Sequence, residues 1–342
     1  MDPNVVLPFG SSVVSFVFAA LVLAQWRGRR RPFQLVWAVG LLWYGISAGT
    51  EFWGSAFGWS DPLYRAWYLI GALYVAAYMG LGTVYLLART RFGYFAAASI
   101  FLGGLFAILS QQRLIREGRP AEWSSVWAVV AFAAAAAVAL TYVTARHRSW
   151  TGHIALGFLL VASIYGAMQV LTAPLAAPGY AVDPTTGVPV GSAIPGHIRV
   201  MTGPFNIAGA FALVGGALFS AYVFMPKRKI LRPRVRLPVM AQLAGLLAIC
   251  VNLAVSLPGA FAALARGDLH SRVPATMLIA LGGFIPGLTS GLNRFGITWS
   301  FFLGEFIGVV LIFAGFVVST EVFAERVRLG RWTLLRRGVA AG

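Results

Sequence analysis

Long apolar runs, each closed by Arg, Pro or a polar cluster, set the rhythm of this chain. A hydrocarbon core about 30 Å thick takes roughly 20 apolar residues in helical form. Nine runs meet that length: residues 5–26, 33–50, 66–88, 94–111, 126–145, 153–172, 200–225, 239–265 and 297–323. A tenth, 273–288, is short and carries Pro274, Gly282, Gly283, Pro286 and Gly287. Proline removes a helical hydrogen bond and glycine weakens a helix, so the pattern predicts a broken or re-entrant segment over 273–296. The expected fold is all-α: a polytopic transmembrane helical bundle of nine spanning helices plus that segment, with ten crossings as the alternative.

Basic residues fall between the runs, and their distribution orients the chain. With the N-terminus outside and residues 273–296 re-entrant, nineteen Lys and Arg face inward and eight outward; with a full tenth crossing the split is fifteen to twelve. Cytoplasmic loops carry the excess of positive charge, which favours the first arrangement. It predicts a seven-helix part over 1–225, a basic cytoplasmic linker over 226–238, C-terminal membrane helices over 239–323 and a basic cytoplasmic tail over 324–342. The gap 173–198 holds Pro174, Pro178, Pro184, Pro189 and Pro195 and reads as an external loop. Residues 1–4 lack a basic signal-peptide start, so no cleavage is expected.

Composition sharpens the class. Of 342 residues, 59% are hydrophobic and 11% charged, against roughly 45–50% and 25% in soluble domains. In a soluble protein a net charge of +17 would point to nucleic acid; here the charge sits in short clusters between membrane runs, and no nucleic-acid partner is expected. Arg supplies 25 of the 27 basic residues, which with abundant Ala and Gly suggests a GC-rich bacterial gene and a multi-pass protein of the bacterial inner membrane. The single Cys250 has no disulfide partner within the chain.

Candidate chemistry is confined to few side chains. Of the four His only His153 starts a run, HExxH and CxxC spacings are absent, and neither lysine lies in a run, so no metal, haem, Schiff-base or other cofactor site is expected. Glu305 lies eight residues inside the last run, about 12 Å deep at 1.5 Å per residue. An acid at that depth marks a functional site or a structural pair, here with Arg294 just before the run. Glu51 closes the second run, either as a solvated helix end in an aromatic belt or as part of the same site. Tyr165 and Gln169 share a helix face with Thr172; Thr202 and Asn206 stand four apart, as do Asn252 and Ser256. In the nine-crossing topology all these groups fall in the outer halves of their helices. With Asn293 and Arg294 they define one expected polar cavity opening outward, capped by the Pro-rich loop and floored by the broken segment.

The corresponding expectation is a transporter or permease-like protein binding a small or lipidic ligand, in contact with membrane lipids and open to membrane protein partners. Alternatives are a non-catalytic sensor or complex subunit, and an intramembrane lipid-modifying enzyme. The enzyme reading lacks DxxxD and DDxxD motifs and any Ser-His or His-acid spacing, so a non-enzyme is expected.

Overall fold

The computed structural model describes residues 2–232 and 238–319, and among them ten long helices: α1 Pro3–Arg29, α2 Pro32–Phe57, α3 Asp61–Leu86, α4 Phe92–Arg116, α5 Trp123–Arg146, α6 Thr151–Thr172, α7 Thr202–Phe224, α8 Pro238–Arg266, α9 Arg272–Arg294 and α10 Phe301–Val318. Nine of the described helices are long and apolar enough to cross a membrane. The other, α2, is 26 residues long but carries Gln34, Ser47, Thr50 and Glu51 on its buried face. The protein is thus a membrane-type helical bundle.

Local sequence explains the ends. Asp2 caps α1 by accepting from the Asn4 N–H at 2.9 Å, with Pro3 in the first turn where its missing donor costs nothing. Arg30, in the left-handed region at φ 52°, ends α1, and Pro32 opens α2. Within α3, residues Tyr68–Tyr74 are π-helical, and the Asn206 side chain of α7 donates to the Ala72 carbonyl at 2.8 Å. Backbone wound off the α register is met by an outside donor. Where α3 crosses α7, a Cβ on Gly80 would lie 2.4 Å from the Gly209 carbonyl oxygen, so only glycine permits this approach.

Contacts between helices give their directions. Gly10 of α1 meets Phe306 of α10, and Phe18 meets Phe313 and Phe316, so these two helices run parallel. Ser12 of α1 donates to the Gly45 carbonyl at 2.8 Å, and Phe9 stacks on Phe52 at 5.2 Å, which makes α2 antiparallel to both. Pro3 and Val318 therefore lie at opposite ends of the bundle, called here the near end and the far end.

Residues 273–296 differ from the expected broken segment: α9 is one continuous helix through Pro286. Its breaker residues are contact points. A Cβ on Gly282 would sit 2.6 Å from the Gly308 oxygen, and one on Gly308 would sit 2.1 Å from Pro286 Cγ. Close packing against α10 offsets the weak intrinsic propensity. The discontinuity falls one helix earlier. The end of α7 and the start of α9 meet at the far end, where Phe224 packs against His270 and Arg272. The residues just before 226 and just after 271 thus lie at the same end, with α8 between them in sequence. Alongside α8, the backbone N–H of Arg228 donates to Ser256 at 2.9 Å, and those of Ile230 and Leu231 donate to Asn252 at 2.8 and 2.9 Å.

The predicted tail 324–342 and the linker residues 233–237 lie outside the described residues. The Pro-rich loop after α6 is well formed, with a short helix Gly196–Arg199 and a bridge between Val182 and Pro189.

Candidate functional site

Three buried stripes converge between α1, α2 and α10. On α1 the stripe is Pro8, Ser11, Ser15, Phe18 and Val22; on α2 it is Leu41, Tyr44, Ala48 and Glu51; on α10 it is Ile312 and Phe316, continued toward the near end by the partly accessible Glu305. The residues of each are three, four or seven apart and share a helix face. Toward the far end they close into an apolar cluster of Phe18, Val22, Leu41, Met79, Leu213, Ile312 and Phe316, around a void of about 20 Å³. Toward the near end the same stripes turn polar.

Glu51 and Glu305 meet there. Their carboxyl groups stand within hydrogen-bonding reach of one another. Glu51 is fully buried and Glu305 partly accessible. The Trp67 indole of α3, itself buried, donates to Glu51 Oε1 at 2.9 Å, while Glu51 Oε2 has no donor from the protein. The Tyr44 hydroxyl donates to the Glu305 backbone carbonyl at 2.8 Å. Two ionised carboxylates can only accept, so their contact becomes a hydrogen bond only when one carries a proton. Like charges this close are a standard arrangement for two carboxyls that hold one proton between them.

The 173–195 loop covers the near end and is tied down on several sides. The Asn293 amide at the end of α9 donates to the Pro189 carbonyl at 3.3 Å, and Asn4 donates to the Thr186 carbonyl at 2.6 Å. Thr186 pairs with Thr298 at 2.7 Å, the Tyr64 hydroxyl donates to Val190, and Arg119 donates to Ser192 and Ile194. Val188 packs on Phe301 and Phe302 in the first turn of α10 and on Leu7 in the second turn of α1. Asp183 organises the turn: the Thr185 hydroxyl and the N–H groups of Thr185 and Thr186 hold its carboxyl down at about 2. At ordinary pH this turn keeps its negative charge. Nearby, burial alone would raise the Glu117 carboxyl, but Arg113 and Arg199 together hold it below its usual value.

Several expected members of the cavity lie elsewhere. Tyr165 is half exposed on the outward face of α6, and Gln169 and Thr172 follow it on that face. Thr202 bonds back to the Arg199 carbonyl at 2.8 Å, and Asn206 serves the π-helical backbone of α3. Asn252 and Ser256 hold the linker toward the far end, away from Glu51 and Glu305. Proximity in sequence had suggested Arg294 as the partner of Glu305; the Arg294 side chain lies outside the described residues, and the acid that Glu305 faces is Glu51. As a solvated helix end Glu51 is corrected: no part of it reaches solvent.

Trp67, Tyr44, Ser11 and Ser15 are the participants that sequence reasoning missed. Trp67 has the composition of an interfacial belt residue, and only its burial separates it from one. The serines carry a usable signal, since their four-residue spacing continues the stripe of Phe18 and Val22. An open groove of about 380 Å³ lined by Trp53, Gly58, Ser60, Pro62, Leu63 and Ala66 marks the near-end corner of α2 and α3. Trp53 is two residues past Glu51, about 200° around the helix, so the groove opens on the other side of α2 from the carboxyl pair. Among the described residues no group of three or more His, Cys, Asp or Glu could hold a metal ion.

The chain matches no family model, no curated protein and no solved structure.

Proposed function

We propose that the protein is a multi-pass permease of the bacterial inner membrane in which the Glu51–Glu305 pair carries a proton coupled to the passage of a small or lipidic solute. The observation that supports this reading above all others is the juxtaposition of two carboxyl groups inside an apolar bundle, one of them fully buried and with an oxygen that no protein donor meets. A charged acid in such a place is expensive, and structure alone gives little reason to keep two. The near end faces outward in this reading. Fourteen Lys and Arg at helix ends or connections of the described far end, against six at the near end, support that orientation through the excess of positive charge on the cytoplasmic side. Arg266 and Arg272, assigned to the outside by the sequence pattern, belong with the far-end group. Membrane lipids surround the bundle, and the ordered loop covers the outward mouth.

The test is proton flux in proteoliposomes under an imposed pH gradient, followed by an internal pH dye. The wild-type protein is expected to dissipate the gradient faster than empty liposomes, and Glu51→Gln and Glu305→Gln each to abolish the difference. Purified protein should also melt at a pH-dependent temperature that either variant flattens. Pronounced pH-dependent melting without flux would refute transport and favour the sensor or complex-subunit reading.

A further inference from the structure

The bundle interior is not uniformly satisfied around the carboxyl pair, and four of the buried oxygens without partners fall on the facing stripes of α1 and α2. Ser55 Oγ lies one turn beyond Glu51 on α2, toward the near end; Glu51 Oε2 is next; Ser11 Oγ and Ser15 Oγ follow on the facing stripe of α1 in the next two turns toward the far end. All four atoms are shielded and have no hydrogen-bond partner, and Ser11, Ser15 and Glu51 are fully buried as whole residues. A serine in a helix usually satisfies itself on the carbonyl four residues back, as Ser99 does at 2.9 Å in α4. Ser11 and Ser15 do not.

The registers of the three helices put these atoms along one seam. Phe9 pairs with Phe52, Ser12 with Gly45, and Gly10 with Phe306, so Glu51 and Glu305 stand at the level of Phe9 and Gly10, with Ser11 just beyond them. From the level of Ser55 to that of Ser15 the seam runs about 14 Å at 1.5 Å per residue. Beyond Ser15 the stripe continues as Phe18 and Val22, and every lining residue of the small void there is apolar or, in Trp37, has its N–H bonded to the Met79 carbonyl. Water needs two to four polar partners to stay in a protein interior. Partners are present along the seam and absent beyond it. The titratable groups facing the pair are Tyr44 from α2 and the two acids themselves; α1 contributes only hydroxyls, and α3 contributes the Trp67 indole.

We infer that the α1–α2–α10 seam is a one-sided proton entry path, in which water joins Ser55, Glu51, Glu305, Ser11 and Ser15 to the near end while the Phe18–Val22–Leu41–Phe316 cluster seals it from the far end. It rests on the proton-linked reading of the carboxyl pair and adds to it the route and the side of exchange. The substrate of this path is the proton, passed between hydroxyl, water and carboxyl oxygens. Alternation between the two sides then requires the apolar cluster to part, which places the moving boundary at Phe18, Leu41 and Phe316 rather than at the loop.

Single cysteines test this on a Cys250→Ala background. Silver ion is small, charged and thiol-reactive, and it reaches buried thiols through water but not through hydrocarbon. Ser55→Cys, Ser11→Cys and Ser15→Cys, each first shown to melt as the parent does, are exposed to silver from the near side in oriented vesicles, and protection from later maleimide labelling in denaturant is read. At least tenfold faster protection is expected at positions 55, 11 and 15 than at Val22→Cys and Leu41→Cys, and no fast protection at the first three from the far side. Equal, slow protection at Ser11→Cys, Ser15→Cys and Val22→Cys would show a dry seam and overturn the path. Fast protection at Val22→Cys from the near side, or at Ser11→Cys from both, would overturn its one-sidedness. Either outcome leaves the proton-linked reading standing as long as Glu51→Gln and Glu305→Gln still remove the pH dependence of melting; if they do not, that reading fails as well.

Discussion

Replacing Trp67 by phenylalanine isolates the contact that holds Glu51 in place. The indole N–H donates to Glu51 Oε1 at 2.9 Å, and both side chains are buried. A hydrogen bond to a charged or proton-sharing carboxyl in such surroundings is worth about 1.5–3 kcal/mol. Loss of the five-membered ring removes buried carbon as well, adding about 1–2 kcal/mol through transfer and a partly relaxed cavity. Trp67→Phe is therefore expected to destabilise the protein by about 2.5–5 kcal/mol, larger than most single substitutions. The same change in a Glu51→Gln background should cost about 0.5–2 kcal/mol less, because the indole then loses only a neutral bond to an amide oxygen, worth about 1 kcal/mol. Denaturation of the four proteins of the cycle in one detergent, followed by circular dichroism, gives the coupling directly. Additivity within about 0.5 kcal/mol would refute the claim that indole and carboxyl act on one another.

Other expectations are more direct. Gly308→Leu should destabilise the α9–α10 pair by at least about 2–3 kcal/mol on melting, since a Cβ there already lies 2.1 Å from Pro286 Cγ. Asn206→Leu leaves the Ala72 carbonyl of the π-helical segment without its donor and should cost about 1–3 kcal/mol, with no effect on proton flux per folded molecule. Asp183 has its carboxyl held at about 2 in the fold, below its ordinary value near 4. Its contribution to loop order is complete above the ordinary value and is lost as pH falls through about 2, so loop protection from protease should drop only in strong acid, and Asp183→Asn should remove that dependence. A reporter fused after Val318 should appear on the opposite side of the membrane from one placed before Pro3; appearance on the same side would contradict the parallel arrangement of α1 and α10.

Of the carboxyl pair and the groups around it, sequence reasoning singled out the two acids and missed Tyr44, Trp67, Ser11 and Ser15, and the omission has a definite cause. Glu305 stands out because a lone acid deep in an apolar run is expensive wherever the chain folds. Its partner does not stand out in the same way. Glu51 follows the apolar run 33–50 and precedes Phe52 and Trp53, which is how a solvated helix end looks, and nothing local reports that Glu305 of α10 comes near that turn. The pairing arises because α1 packs against both α2 and α10 and brings their near-end turns together, a relation between segments at opposite ends of the chain. Asn252, Ser256, Tyr165 and Gln169 show the converse. Their spacing puts each pair on one helix face, but spacing cannot say whether that face meets the interior, a linker or the surroundings.

The sequence by itself determined the class of molecule, the positions of its long helices and the basic character of one end, because each depends on local apolar length and on charge, and the hydrocarbon core demands both regardless of packing. Only the tertiary structure decided that residues 272–294 form a continuous helix and that the end of α7 meets the start of α9. Proline and glycine weaken a helix in isolation, yet their small or missing side chains let α9 and α10 approach closely enough to repay the loss. The tertiary structure also decided which polar groups face each other. That choice turns on helix direction and register, and a shift of one residue rotates a side chain by about 100° away from its partner.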